Sequence, residues 1–155
     1  MKHPVIPNIT GPVYHTEKPY RKGELPVHML IPDTQVKKGV PMEHLEWAGK
    51  WAAEQKPDVI VHIGDHADMP SLSTYDVGKK DYEGRRYNDD IAAAIEGMQL
   101  LLAPIRAEQA RLRNNKQKEW NPRLVLTLGN HEHRILRAIN ADPKLEGTIG
   151  LNDLR

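Results

Sequence analysis

Three short apolar runs govern what this chain can fold into, because each ends abruptly in polar side chains of the kind that hold metal ions. His28-Met29-Leu30-Ile31-Pro32 leads into Asp33-Thr34-Gln35. Val59-Ile60-Val61-His62-Ile63 leads into Gly64-Asp65-His66-Ala67-Asp68. Leu124-Val125-Leu126-Thr127-Leu128 leads into Gly129-Asn130-His131-Glu132. Short apolar runs without strict alternation read as strands covered on both faces, as parallel strands are. Val27–Ile31, Val59–Ile63 and Arg123–Leu128 are therefore the expected strands. Between the first two, Met42, Leu45, Ala48, Trp51 and Ala52 recur at helical spacing. Pro41 can open that helix, and Pro57 closes it, since the residue before a proline avoids the helical region. Between the second and third, Ile91, Ala94, Ile95, Met98, Leu101, Leu102 and Ile105 form another helical stripe. Asn88 or Asp89 is its expected cap, and Pro104 predicts a kink or break.

Strand, helix, strand, helix, strand is two βαβ units, and their crossovers make the sheet parallel. The expected fold is α/β, with a parallel βαβαβ half-sheet. All three polar clusters then fall at the C-terminal strand ends, the edge where open α/β sheets bind ligands.

Composition narrows the chemistry. A chain of 155 residues is one domain's worth, and with 28% charged and 39% hydrophobic residues it can bury a core. The formal net charge of +1 creates no strong field toward nucleic acid or anionic membrane. No apolar stretch approaches the ~20 residues of a membrane span, and the N-terminus lacks a signal-peptide core. Cytoplasmic localisation is the default. Cysteine is absent, which removes disulfides and thiolate zinc sites. Any metal must rest on carboxylate, amide and imidazole groups, a set that suits Mn, Fe, Ni, Mg or Zn without choosing among them. Phenylalanine is absent too, so the core is expected to use Leu, Ile, Val, Ala and the three tryptophans.

Residues 1–26 carry five prolines and no sustained periodicity, and read as an extended arm. Residues 27–155 form the expected domain. His66 to Tyr87 is rich in Asp, Gly, Ser and Tyr and reads as a long loop, which in that place is usually functional. His133 to Asn140 reads as a helix stopped by Asp142-Pro143.

Taken together and in order, Asp33-x-Gln35, Gly64-Asp65-x-x-Asp68 and Gly129-Asn130-His131-Glu132 resemble the calcineurin-like metallophosphoesterase superfamily. Its signature reads D-x-H, G-D-x-x-D and G-N-H-[DE]. The resemblance spans roughly Val27 to Asn140 and implies the first half of an αββα sandwich. It implies a hydrolase that cleaves phosphomonoesters or phosphodiesters at a centre of two divalent ions (Mn, Fe, Ni or Zn). Such a centre holds its ions about 3.5–4 Å apart, and a carboxylate must bridge them. Asp65 is the candidate bridge, and Gly64 before it allows a tight turn and close backbone approach. Asp33 and Gln35, at i and i+2, point the same way if the strand exit is extended, and so could grip one ion. Asn130 offers an amide oxygen to the other. By resemblance, His131 acts on the leaving group, through a proton or through charge, and Asp68 orients it. The implied substrate is a phosphate ester, with nucleotides and nucleic acid open.

Departures from that signature stand out. The family's opening motif usually ends in His, where this chain has Gln35, a weaker donor. Met69 follows Asp68, where protein Ser/Thr phosphatases have Arg, and this disfavours that branch. After Glu132 the sequence contains one histidine, His133, and none of the family's closing G-H-x-H. The domain is therefore expected to be incomplete at its C-terminus: a fragment, a domain completed by a partner chain or self-association, or one whose site is degenerate. The proline-rich arm and small size are similar to phage-encoded members. The alternative is a truncated, non-catalytic fragment that binds metal or a partner. Each ligand also has a plain reading. Asp33 could cap a turn, and Asn130 could sit in a left-handed turn. His62 reads as a core imidazole, and His66 and His133 as neighbours of the site rather than ligands. Arg85-Arg86 and Lys79-Lys80 could face phosphate or pair with nearby acids.

Overall fold

The computed structural model describes residues 25–154, so the expected N-terminal arm lies almost wholly outside the described residues. Three strands form: β1 (His28–Ile31), β2 (Val59–His62) and β3 (Arg123–Leu126). They pair in parallel in the order β1-β2-β3, with Ile31 beside His62 and His62 beside Leu126. The helices are α1 (Glu43–Gln55), α2 (Tyr87–Asn114) and α3 (His133–Ala141). The chain is thus α/β, with a three-stranded parallel sheet.

β2 is the central strand, and Val59, Ile60 and His62 are buried there. Alternation puts Ile31, Ile60 and His62 on one sheet face. That face meets Leu45 and Ala52 of α1 and Ala94, Leu101 and Ile105 of α2 in a single apolar cluster. Leu45 and Ile105 are among the largest fully buried side chains, each worth roughly 1.5–3 kcal/mol. The opposite face carries Leu30, which is 62% exposed, so no described element covers it there. Leu124 and Leu126 of edge strand β3 are also exposed, beside an apolar cleft of about 490 Å³ under α2.

Several expectations are corrected. α2 runs unbroken through Pro104. The reason lies in tertiary packing. α1 presents Gly49 to this stretch so closely that an added Cβ would overlap the Leu101 carbonyl and lie 3.2 Å from Pro104 Cδ. The backbone is clamped there by its neighbour, and contact with α1 outweighs the lost hydrogen bond. Gly49 also explains the tryptophans. With Leu45, Gly49 and Ala52 forming the contact stripe, Trp47 and Trp51 fall outside it and are 65% and 52% exposed. Trp120 packs against the core instead, its indole N–H donating to the Pro57 carbonyl at 2.9 Å. The expected α2 caps also differ. Arg86 is the cap residue and no side chain caps the helix. Asp89 pairs with Lys38, and Asp90 accepts from the Ser71 N–H, so both acids are used elsewhere. The stretch from residue 66 to 86 is irregular apart from short 3-10 turns at Pro70–Leu72 and Lys80–Tyr82.

Candidate active site

The three strand-end loops meet at Asp65. The first loop arrives by backbone pairing: Gln35 N–H donates to the Asp65 carbonyl at 2.9 Å, and Val36 N–H to the His66 carbonyl at 2.7 Å. The third loop arrives by side chain, because Asp65 Oδ1 accepts from the His131 N–H at 2.8 Å. Two glycines make the approach possible. Gly64 has φ +95°, and a Cβ there would lie 2.6 Å from Gly129 N. A Cβ on Gly129 would overlap Asp65 Oδ1.

The expected extended exit from β1 is not what forms. Asp33 (φ 23°) and Gln35 (φ 42°) are both left-handed, as are Asp65 (φ 50°) and Met69 (φ 49°). Side-chain alternation therefore does not apply between Asp33 and Gln35. The twist is set by the demand that Gln35 and Val36 turn back to pair with the β2 exit, through the parallel bridge Val36–Ala67. Left-handed non-glycine residues are uncommon and cluster where function over-determines the backbone. Asn130 is not among them.

Glu132 locks the junction, a role not read from the sequence. Its carboxylate is 2% exposed. Oε2 accepts from Asp65 N–H at 3.0 Å and Gly129 N–H at 2.7 Å, and Oε1 accepts from Ala67 N–H at 2.9 Å. One buried anion thus ties the second loop to the third. The fourth position of Gly129-Asn130-His131-Glu132 was visible, but nothing in a sequence shows whether such a carboxylate faces ions or backbone.

Beneath the site runs a chain of neutral groups. His66 Nε2 contacts the Ala94 carbonyl at 2.8 Å, and a carbonyl only accepts, so Nε2 carries the proton. His66 Nδ1 must then accept from the Thr34 hydroxyl at 2.8 Å. Thr34 in turn accepts from His62 Nε2 at 3.0 Å. This leaves His62 Nδ1 as a buried acceptor without a partner among the described residues. Burial lowers the His62 pKa to about 4 and also lowers that of His66, which keeps both rings neutral. Thr34 lies between Asp33 and Gln35, so the histidine pair holds the first loop in place. His133 is exposed.

His131 and Asp68 are brought together. His131 Nδ1 lies 3.0 Å from Asp68 Oδ1 and 2.9 Å from the Asp68 carbonyl, both acceptors, so Nδ1 carries the proton. Lys37 pairs with the other Asp68 oxygen at 2.7 Å. Arg134, one helical turn beyond His131, donates to the Asp68 carbonyl at 2.7 Å, and its Nη2 lies 3.4 Å from His131 Nε2. In the following loop, Arg85 and Lys79 both bond Asp76, at 2.8 and 3.1 Å, which occupies them in internal pairs. Those contacts hold the Asp76 carboxyl down at about 2.

Asp33, Gln35 and Asn130 are exposed along the same edge, and Asp65 is half-buried. Among the described residues no three His, Asp or Glu side chains gather into a group that could hold a metal ion. The expected set has two carboxylates and two amides, all oxygen donors, and Asp65 is already fixed on one oxygen by His131 N–H. Oxygen sets of this kind suit hard divalent ions such as Mn and Mg.

No family model, characterised protein or solved structure matches the chain. Among the described residues no helix is long and apolar enough to cross a membrane.

Proposed function

We propose that the chain is a metal-dependent phosphoesterase of the calcineurin-like kind, whose half-sheet corresponds to the first half of that family's sandwich. The observation that carries the reading is the meeting of three strand-end loops at Asp65, with the His131–Asp68 pair beside them. Asp33, Gln35, Asp65 and Asn130 would hold two divalent ions. When bound, these would polarise phosphoryl oxygens and offset charge on the phosphoryl group. Asp68 fixes the His131 ring by its Nδ1 edge, leaving the Nε2 edge to meet the leaving oxygen. Once protonated, that edge can donate. Glu132, Gly64 and Gly129 keep the loops at the separation this requires. The substrate class is a phosphomonoester or phosphodiester, including nucleotides and nucleic-acid ends, in a cytoplasmic setting.

The test is elemental analysis of the purified chain, with hydrolysis of bis(p-nitrophenyl) phosphate assayed in Mn, Ni and Zn. Metal binding and metal-dependent hydrolysis should both be present, and Asp65→Asn should remove most of each while the circular dichroism spectrum stays unchanged. Unaltered metal content in Asp65→Asn would exclude the bridge. A second reading, a non-catalytic metal- or partner-binding module, is favoured by the exposed Leu30 and Ile63 at the sheet. It would be preferred if metal binds but no ester is cleaved.

A further inference from the structure

We propose that Arg134 is a further substrate-contacting residue, donating from Nη2 to an anionic oxygen of the phosphate ester beside His131 Nε2. The inference rests on the phosphoesterase reading and adds a fixed charge to it. The argument begins with where a guanidinium can be kept. The Arg134 side chain is 12% exposed. A cation so nearly buried is costly unless an anion pairs with it. Its hydrogen bonds go to neutral carbonyls, Asp68 O at 2.7 Å and Met69 O at 3.3 Å. The nearest carboxylate oxygen, Asp68 Oδ1, is 3.7 Å away, too far for a hydrogen bond. Asp68 is meanwhile engaged by Lys37 at 2.7 Å and by His131 at 3.0 Å. Arg85 and Arg111 differ, with Asp76 at 2.8 Å and Glu108 at 2.6 Å.

Around Asp68, then, one carboxylate is shared by two fixed cations, Lys37 and Arg134. The remaining contact of Arg134 points the same way. Nη2 faces His131 Nε2 at 3.4 Å, beyond the usual range for a good N–H bond. An oxyanion beside both groups would accept from Arg134 and complete the pairing that Asp68 leaves unfinished. Planar guanidinium groups are well suited to phosphate oxygens. Arg134 and His131 are carried on one turn, in which the Arg134 backbone N–H donates to the His131 carbonyl at 3.0 Å.

The experiment is calorimetric titration of inorganic phosphate into the full chain in excess Mn, with Arg134→Gln, Arg134→Lys and, as a surface control, Arg113→Gln. Phosphate affinity should fall roughly 10- to 100-fold in Arg134→Gln, the loss expected for one charged hydrogen bond. It should fall less in Arg134→Lys, which keeps the charge, and stay unchanged in Arg113→Gln. Added guanidinium should partly restore Arg134→Gln, which a purely structural role would not allow. Equal phosphate affinity in wild type and a folded Arg134→Gln would overturn the proposal, as would absence of phosphate binding by the folded wild type. Phosphate binding that depends on Arg134 without any ester hydrolysis would uphold the anion site and sink the phosphoesterase reading instead.

Discussion

Replacing Glu132 should damage this chain more than replacing any of the candidate metal ligands. Those ligands stand at an exposed or half-buried edge, whereas Glu132 is 2% exposed and its carboxylate satisfies three backbone N–H groups at 2.7–3.0 Å. In Glu132→Ala all three donors lose their acceptor. Ala67 is 1% exposed, so its N–H cannot turn to water and should bear the full cost of an unmade bond, about 2 kcal/mol. Asp65 and Gly129 are half-buried and can be partly rehydrated, so about 1 kcal/mol each is reasonable. The total is about 4 kcal/mol, a large share of the roughly 5–15 kcal/mol that stabilises a domain. Glu132→Gln keeps one acceptor oxygen but turns an NH₂ group toward at least one N–H, and should cost about 2 kcal/mol. Urea unfolding followed by circular dichroism gives both numbers. An ordering Ala > Gln > wild type is expected, with phosphate and metal affinity falling in the Gln variant even where it is folded. A Glu132→Ala chain within about 1 kcal/mol of wild type would refute the view that this carboxylate holds the second and third loops together.

Three further outcomes follow from the same contacts. His131→Asn should lower turnover by roughly 100-fold with metal content retained, and the loss should shrink on esters with good leaving groups; equal losses on good and poor leaving groups would argue for charge stabilisation over proton donation. Acid should destabilise the chain through His62, whose pKa falls from 6.5 to about 4 on burial. The unfolded chain then binds more protons in that window, so stability is intact above pH 6.5 and is lost as pH falls toward 4. Between neutral pH and pH ~5 the loss should be about 2 kcal/mol, with more from His66, and it should be smaller in His62→Gln; an equal loss in that variant would clear His62. Light scattering should detect self-association through the sheet, because Leu30, Leu124 and Leu126 are 62%, 52% and 45% exposed beside strand edges that are unpaired among the described residues. Leu30→Lys should weaken that association, and a monomer at high concentration would contradict it.

The sheet was legible because its signal is local. Val59-Ile60-Val61 reads as a strand, and each apolar run stops where its strand does, within two residues, although the expected cover on both faces is missing at Leu30, Leu124 and Leu126. Helix positions were legible from the 3.6-residue stripe, but the occupancy of that stripe was not. Trp51 fits the period and is nonetheless half exposed, because the helix pair closes on Gly49 and leaves no room for an indole. Pro104 failed as a helix breaker for the same reason. Both are cases in which a neighbour 50 residues or so away outweighs a local rule, and a single sequence does not show the neighbour. At the site, the motifs identified which residues gather but not how they are wired. The expectation for Asp33 and Gln35 assumed an extended exit. Pairing between the first and second loops forces both into left-handed backbone, so their approach to an ion is governed by that strained turn. Thr34 and Arg134 carry no periodicity and no metal-ligand character, so nothing local marked them, and Glu132 was marked only as part of a motif. Their roles follow from partners 28 to 67 residues away in sequence. Such contacts fix a site's geometry, and sequence spacing is silent about them.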